Sequence, residues 1–197
     1  MKKRDLYSII IAFILIGFLI GIFYWQGSQE ITGSPDDYMI KETEQGIFVE
    51  NKRAGLTVKA PDGWEVEKLD INNGLIIFYF PGTEGERKEE LVTPPLNNGC
   101  MIHTNVVYQE IDIEGLKIEA AYNLALLNAT SREFNEIVVN NYPALEIIAE
   151  TEKTGPTIGI DIPYKNKVYS FLLIFSLNHQ NNCEQQFNNF LNNIVIK

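Results

Sequence analysis

The chain opens on an uninterrupted apolar run. Residues 6–25 (LYSIIIAFILIGFLIGIFYW) contain no charged side chain. As a helix the run would extend about 30 Å, the hydrocarbon thickness of a bilayer. Tyr24 and Trp25 close it with amphipathic rings suited to the headgroup region. Lys2, Lys3 and Arg4 precede it, and the next basic residue is Lys41. The positive-inside rule then predicts a cytoplasmic N-terminus (1–5), a single-pass signal-anchor in the cell membrane (6–25) and an extracytoplasmic remainder. A cleaved signal peptide would have a shorter apolar core, about 7–15 residues, ending at a small-x-small site. Here Phe23, Tyr24, Trp25 and Gln26 are bulky, although Thr32 and Ser34 offer such a pair further on. Gly17 and Gly21 form a GxxxG pair through which two anchors can self-associate.

Beyond the anchor the pattern changes twice. Residues 26–41 read as a flexible linker, punctuated by Gly27, Ser28, Gly33, Ser34, Pro35 and Asp36-Asp37. Residues 42–197 are of single-domain size. Short β-prone runs at 46–50 and 56–60 precede a Pro61-Asp62-Gly63 turn. Residues 64–71 alternate loosely, 75–80 (LIIFYF) are apolar throughout, and Asn72-Asn73-Gly74 suits a hairpin turn between them. A charged loop over 81–98 leads to a strand over 100–110, with Ile102, Thr104, Val106 and Tyr108 on one face.

Leu116, Ala120, Leu124 and Leu127 recur at helical spacing. Strands are predicted at 134–139, 144–152, 157–164 and 168–177. Ile158, Ile160 and Ile162 alternate with Gly159 and Asp161, which gives that strand one polar face. Phe187, Phe190, Leu191 and Ile194 mark a final helix, with Asn182 and Gln185 resembling a capping box. Two strands apolar on both sides need cover on both sides, and hairpin-length connections make them antiparallel. The expected fold class is therefore α+β: a central, mostly antiparallel sheet flanked by helices, preceded by one transmembrane helix.

Charge narrows the function classes. Lys plus Arg is 16 and Asp plus Glu is 26, a net charge of −10. Residues 1–5 carry +2, which leaves −12 on the rest. Phosphate backbones would repel such a body, so no nucleic-acid partner is expected. No Gly-x-Ser-x-Gly, His-Glu-x-x-His, P-loop or dinucleotide glycine pattern occurs. No catalytic or cofactor-binding residue and no cofactor are therefore assigned. Glu65/Glu67 and Glu89/Glu90 are paired carboxylates, read as solvated. A carboxylate-based hydrolase, the alternative reading, would need at least two such groups converging in an apolar cleft.

Cys100, His103, His179 and Cys183 are the chain's whole content of cysteine and histidine. Three arrangements are open to them. In an oxidising compartment a Cys100–Cys183 disulfide would fasten the last helix to a central strand, contributing about 2–4 kcal/mol. That bridge is the arrangement expected, and two reduced cysteines buried as small hydrophobes are the second reading. A tetrahedral metal site would use all four residues, the metal-handling alternative, although residues 100 and 103 point to opposite sides of a regular strand.

Residues 54–64 (AGLTVKAPDGW) resemble the opening of PsbP-like domains, in which a short strand runs into a Pro-x-Gly-Trp turn. A helix over 116–127, the corner Asn141-Tyr142-Pro143-Ala144, and a final helix running into Ile194-Val195-Ile196 also fit that family. The resemblance extends over residues 46–197. It implies an α-β-α sandwich and an accessory or binding role without catalysis, here in a membrane-anchored bacterial-type variant. The function expected is thus a single-pass, membrane-anchored extracytoplasmic binding or accessory domain. Its partners would be membrane lipid through the N-terminal helix and a cell-envelope protein or ligand.

Overall fold

The computed structural model describes residues 33–71, 74–85, 95–152 and 154–197. The expected cytoplasmic N-terminus, the span over 6–25 with Gly17 and Gly21, and residues 26–32 of the linker lie outside the described residues. So do Asn72, Asn73, Glu89 and Glu90. Among the described residues no helix is long and apolar enough to cross a membrane.

Ser34 caps a 3-10 turn, Pro35–Asp37, and its own amide donates to Asp37 Oδ2 at 2.8 Å. The turn leads straight into β1 (Tyr38–Thr43), which pairs antiparallel with β2 (Gly46–Asn51). Residues 38–41, expected within the linker, are therefore domain residues, and Tyr38 is buried. The Ser-Pro-Asp-Asp run that reads as linker punctuation is a capped turn instead. β3 (Leu56–Lys59) and β13 (Val195–Ile196) complete a four-stranded sheet in the order β1-β2-β3-β13. The predicted turn follows β3: the Trp64 amide donates to the Pro61 carbonyl at 3.1 Å, and Gly63 has φ +80°.

A larger sheet holds β4 (Glu65–Leu69), β5 (Leu75–Tyr79), β8 (Cys100–Val107), β9 (Ser131–Val139), β10 (Tyr142–Thr151), β11 (Gly155–Tyr164) and β12 (Lys167–Phe175). Its order is β4-β5-β8-β12-β11-β10-β9, and every neighbouring pair is antiparallel. Within the expected charged loop, β6 (Glu84–Gly85) and β7 (Leu96–Asn98) form a small ribbon. The β9–β10 turn is Asn140-Asn141, with φ 49° and 69°. Asparagine tolerates this left-handed region, and a two-residue type I′ hairpin requires it.

Strand alternation gives the seven-stranded sheet two apolar faces. One carries Ile76, Phe78, Ile102, Tyr169 and Phe171 against the four-stranded sheet and helix α2 (Gln180–Leu191). The Phe190 ring of α2 meets Phe78 and Phe171 edge-on, with centroids at 5.1 and 5.9 Å. The Tyr169 hydroxyl donates to the Ala54 carbonyl at 2.7 Å, a buried polar link between the two sheets. Across the opposite face runs helix α1 (Ile113–Leu126), capped by Asp112, which accepts from the Gly115 amide at 2.8 Å. Leu116 of α1 packs with Leu145 and Val168 of the sheet.

The fold is thus α+β with mostly antiparallel sheets. Its cover departs from the expectation of helices alone. One helix lies on one face, and a second sheet together with a helix lies on the other. The runs at 46–50 and 56–60 belong to that second sheet. Helix α2 also starts at Gln180, directly after a 3-10 turn over Leu177–His179, so His179 is the N-cap and Asn182 lies inside the helix.

Candidate ligand cleft

The structure joins Cys100 and Cys183 in a disulfide, with Cα atoms 6.0 Å apart. Both are fully buried. Cys100 is the first residue of β8 and faces the inter-sheet core, where α2 presents Cys183. His103 lies three positions along β8 and faces the other side of the sheet. Its Nε2 has no hydrogen-bond partner among the described residues, and burial pushes the imidazole down to about 4. His179 Nδ1 lies 3.3 Å from Ser176 Oγ. The four residues of the metal-site alternative are therefore not gathered at one point, and both thiolates are consumed by the bridge. Glu65 and Glu67 share one face of β4, and Glu67 accepts from the Tyr79 hydroxyl at 2.9 Å.

A cleft lined by both polar and apolar side chains lies elsewhere. Between α1 and the seven-stranded sheet opens a cleft of about 290 Å³. Its floor is dictated by register. Asp161 on β11 stands beside Ser170 on β12, and Ser170 beside Asn105 on β8, which makes a polar row across three adjacent strands. The next row sets Gly159 beside Leu172. A Cβ at Gly159 would meet Ile147 Cβ, Leu172 Cδ1 and the Ile147 carbonyl oxygen at 3.6, 3.7 and 3.8 Å. A methyl group there would therefore sit in ordinary van der Waals contact. On the α1 side the cleft is lined by Leu116, Ala120 and Leu124, with Glu119 and Asn123.

Electrostatics sharpens the picture. Asp161 is partly open to the cleft but enclosed by protein on its other sides. Burial raises its carboxyl above the usual carboxylate range. The Ser170 hydroxyl, which donates to Oδ1, offsets part of that shift, and the negative Glu119 adds to it. Glu119 in turn accepts from Gln109 Nε2 at 3.0 Å. Among the described residues, Asp161 and Glu119 are the charged ones that line the cleft, with no Lys, Arg or His beside them. Ser170 thus donates to a carboxylate without a histidine or lysine beside it to act as base, the opposite of an activated nucleophile.

Sequence reasoning found Gly159 and Asp161 as the polar side of a strand. It missed Asn105, Ser170 and Glu119, whose signal was slight: single polar residues within otherwise apolar runs, and one glutamate on a helix.

The fold and cleft define an antiparallel α+β domain with a small acidic cavity under its first helix. No family model matches the chain, and no curated protein matches it. Two solved structures are similar to it. A protein of unknown function from Pseudomonas aeruginosa shares 10% identity at a TM-score of 0.45, covering 81% of this chain and 97% of its own. The cyanobacterial PsbP of Synechocystis shares 10% identity at a TM-score of 0.43, covering 81% of this chain and 92% of its own. Neither likeness bears on activity.

Proposed function

We propose that this chain is a non-catalytic binding domain, PsbP-like in architecture, that takes a small ligand in the cleft beneath α1. It is carried on the outer face of a cell membrane by residues 6–25, with residues 1–5 in the cytoplasm. The observation that carries the binding reading is the Asp161–Ser170–Asn105 row. A polar row in the middle of an apolar sheet costs free energy unless its groups are satisfied. Here it opens into a cavity at the small end of the range for ligand sites, about 300–1,000 Å³. The membrane reading rests on the uncharged run and the basic residues before it.

The test is a comparison of the full-length chain with its Gly159→Leu variant, each extracted from host membranes and analysed by native mass spectrometry. A small molecule bound to the first and absent from the second is the expected result. Identical spectra would refute the cleft as the site. Hydrolysis of chromogenic esters or glycosides that Asp161→Asn abolishes would restore the carboxylate-hydrolase alternative. Protease added to intact cells should trim the domain, and an untouched C-terminal portion would overturn the topology.

A further inference from the structure

We infer that the ligand of the α1 cleft is an organic cation, an amine or amidine carried on a compact apolar body. The inference rests on the proposed binding role and specifies its chemistry. Asp161 and Glu119 face one cavity from two different elements, β11 and α1, and among the described residues no basic side chain lines it to neutralise them. Two carboxylates facing one cleft repel an anion and attract a cation. Further acceptors line it: the Ser170 hydroxyl and the Asn105 amide oxygen on the floor, and the Asn123 amide oxygen on α1. Leu116, Leu124 and Val168 make the remaining surface apolar, so a bare hydrated ion is a poor fit and a hydrocarbon-bearing ammonium a good one.

A metal ion is a weaker fit on composition as well. Among the described residues no three His, Cys, Asp or Glu side chains are grouped to hold one. The charge of the domain acts in the same sense at longer range, because a strongly acidic body concentrates cations around it. Gly159 lines the same cleft, so a bulky side chain there would compete with the apolar part of the ligand.

The experiment is calorimetric titration of the full-length chain in nanodiscs with three probes of one shape: benzylamine, benzyl alcohol and benzoate. Benzylamine should bind saturably, benzyl alcohol about tenfold more weakly or worse, and benzoate not at all, in line with the greater strength of charge-assisted hydrogen bonds. Gly159→Leu should abolish benzylamine binding. Asp161→Asn should weaken it about tenfold or more, and Glu119→Gln on the exposed helix should weaken it without touching the sheet. An unchanged thermal melt of Glu119→Gln keeps that arm readable should Asp161→Asn destabilise the fold. Benzyl alcohol or benzoate binding as tightly as the amine, and still lost in Gly159→Leu, would overturn the cation while sparing the cleft. Benzylamine binding unaffected by Gly159→Leu would overturn both, and no saturable benzylamine binding would overturn the ligand class.

Discussion

Reducing the Cys100–Cys183 bridge tests how the last helix is held. The two cysteines are 83 residues apart in sequence. In the chain-entropy treatment, closing a loop of that length removes unfolded-state freedom worth about 4.5 kcal/mol at 25 °C, and native bridges typically contribute about 2–4 kcal/mol. The helix has a second attachment. Phe187, Phe190 and Leu191 are all buried against the sheet, and burial of such side chains contributes roughly 1.5–3 kcal/mol apiece. Together these exceed the loss of the bridge, so the reduced protein should keep its fold at lower stability. For a domain of this size the melting midpoint should fall by about 10 °C. The assay is urea denaturation of the oxidised and reduced wild type, followed by near-ultraviolet dichroism, with a thiol count before unfolding. Reduction is preferable to a Cys100→Ala/Cys183→Ala variant as the primary arm, because both positions are fully buried and truncation adds a cavity. Free thiols in the native protein, or coincident curves for the two redox forms, would refute the reasoning. Loss of near-ultraviolet signal on reduction would show instead that the aromatic face of α2 cannot hold the helix alone.

Other consequences are open to direct measurement. His103 is buried with its pKa at about 4 against an ordinary 6.5, so between those values the unfolded chain binds a proton that the folded chain refuses. Stability should therefore be unaffected by this group above pH 6.5. It should decline by roughly 3 kcal/mol as pH falls to about 4, and an imidazole NMR titration with a midpoint near 6.5 would contradict this. Tyr169→Phe leaves the Ala54 carbonyl without its donor between the sheets and should cost about 1–3 kcal/mol in thermal unfolding. No change in midpoint would mean that carbonyl finds another partner. Gly159→Ala adds a methyl group into ordinary contact in a strand interior and should stabilise by about 0.5–1 kcal/mol, whereas destabilisation would show that the cleft floor is tighter than the 3.6 Å approach implies.

What was legible in the sequence was whatever depends on local pattern. The turn residues at Pro61-Asp62-Gly63, the spacing of Leu116, Ala120 and Leu124, and the apolar stripe of Phe187, Phe190 and Leu191 each mark a turn or an element through neighbouring residues, and a turn or helix lies at each. The misplaced start of the domain has a local cause as well. Ser34, Pro35, Asp36 and Asp37 are the residues of a linker and equally of a capped turn, and only the pairing of Tyr38 with Asn51 decides between them.

Neither the second sheet nor the cleft is visible in local pattern, because both are consequences of distant pairing. The strand containing Ile158-Gly159-Ile160-Asp161-Ile162 reads as having one face for the core and one for water. Beyond Lys167 at its start, its partner β12 is apolar on both faces apart from Ser170, a residue with no evident role until register sets it beside Asp161. Helix α1 then crosses that same face, so the side of β11 that reads as solvated becomes the floor of a cavity. A carboxylate in water would have an ordinary affinity for protons, whereas under α1 burial raises it. The chemistry of the site thus arises from one helix covering Asp161, which the strand pattern assigns to solvent, and Ser170 beside it. Displacing α1 should return Asp161 to the ordinary carboxylate range and remove the cavity in the same step.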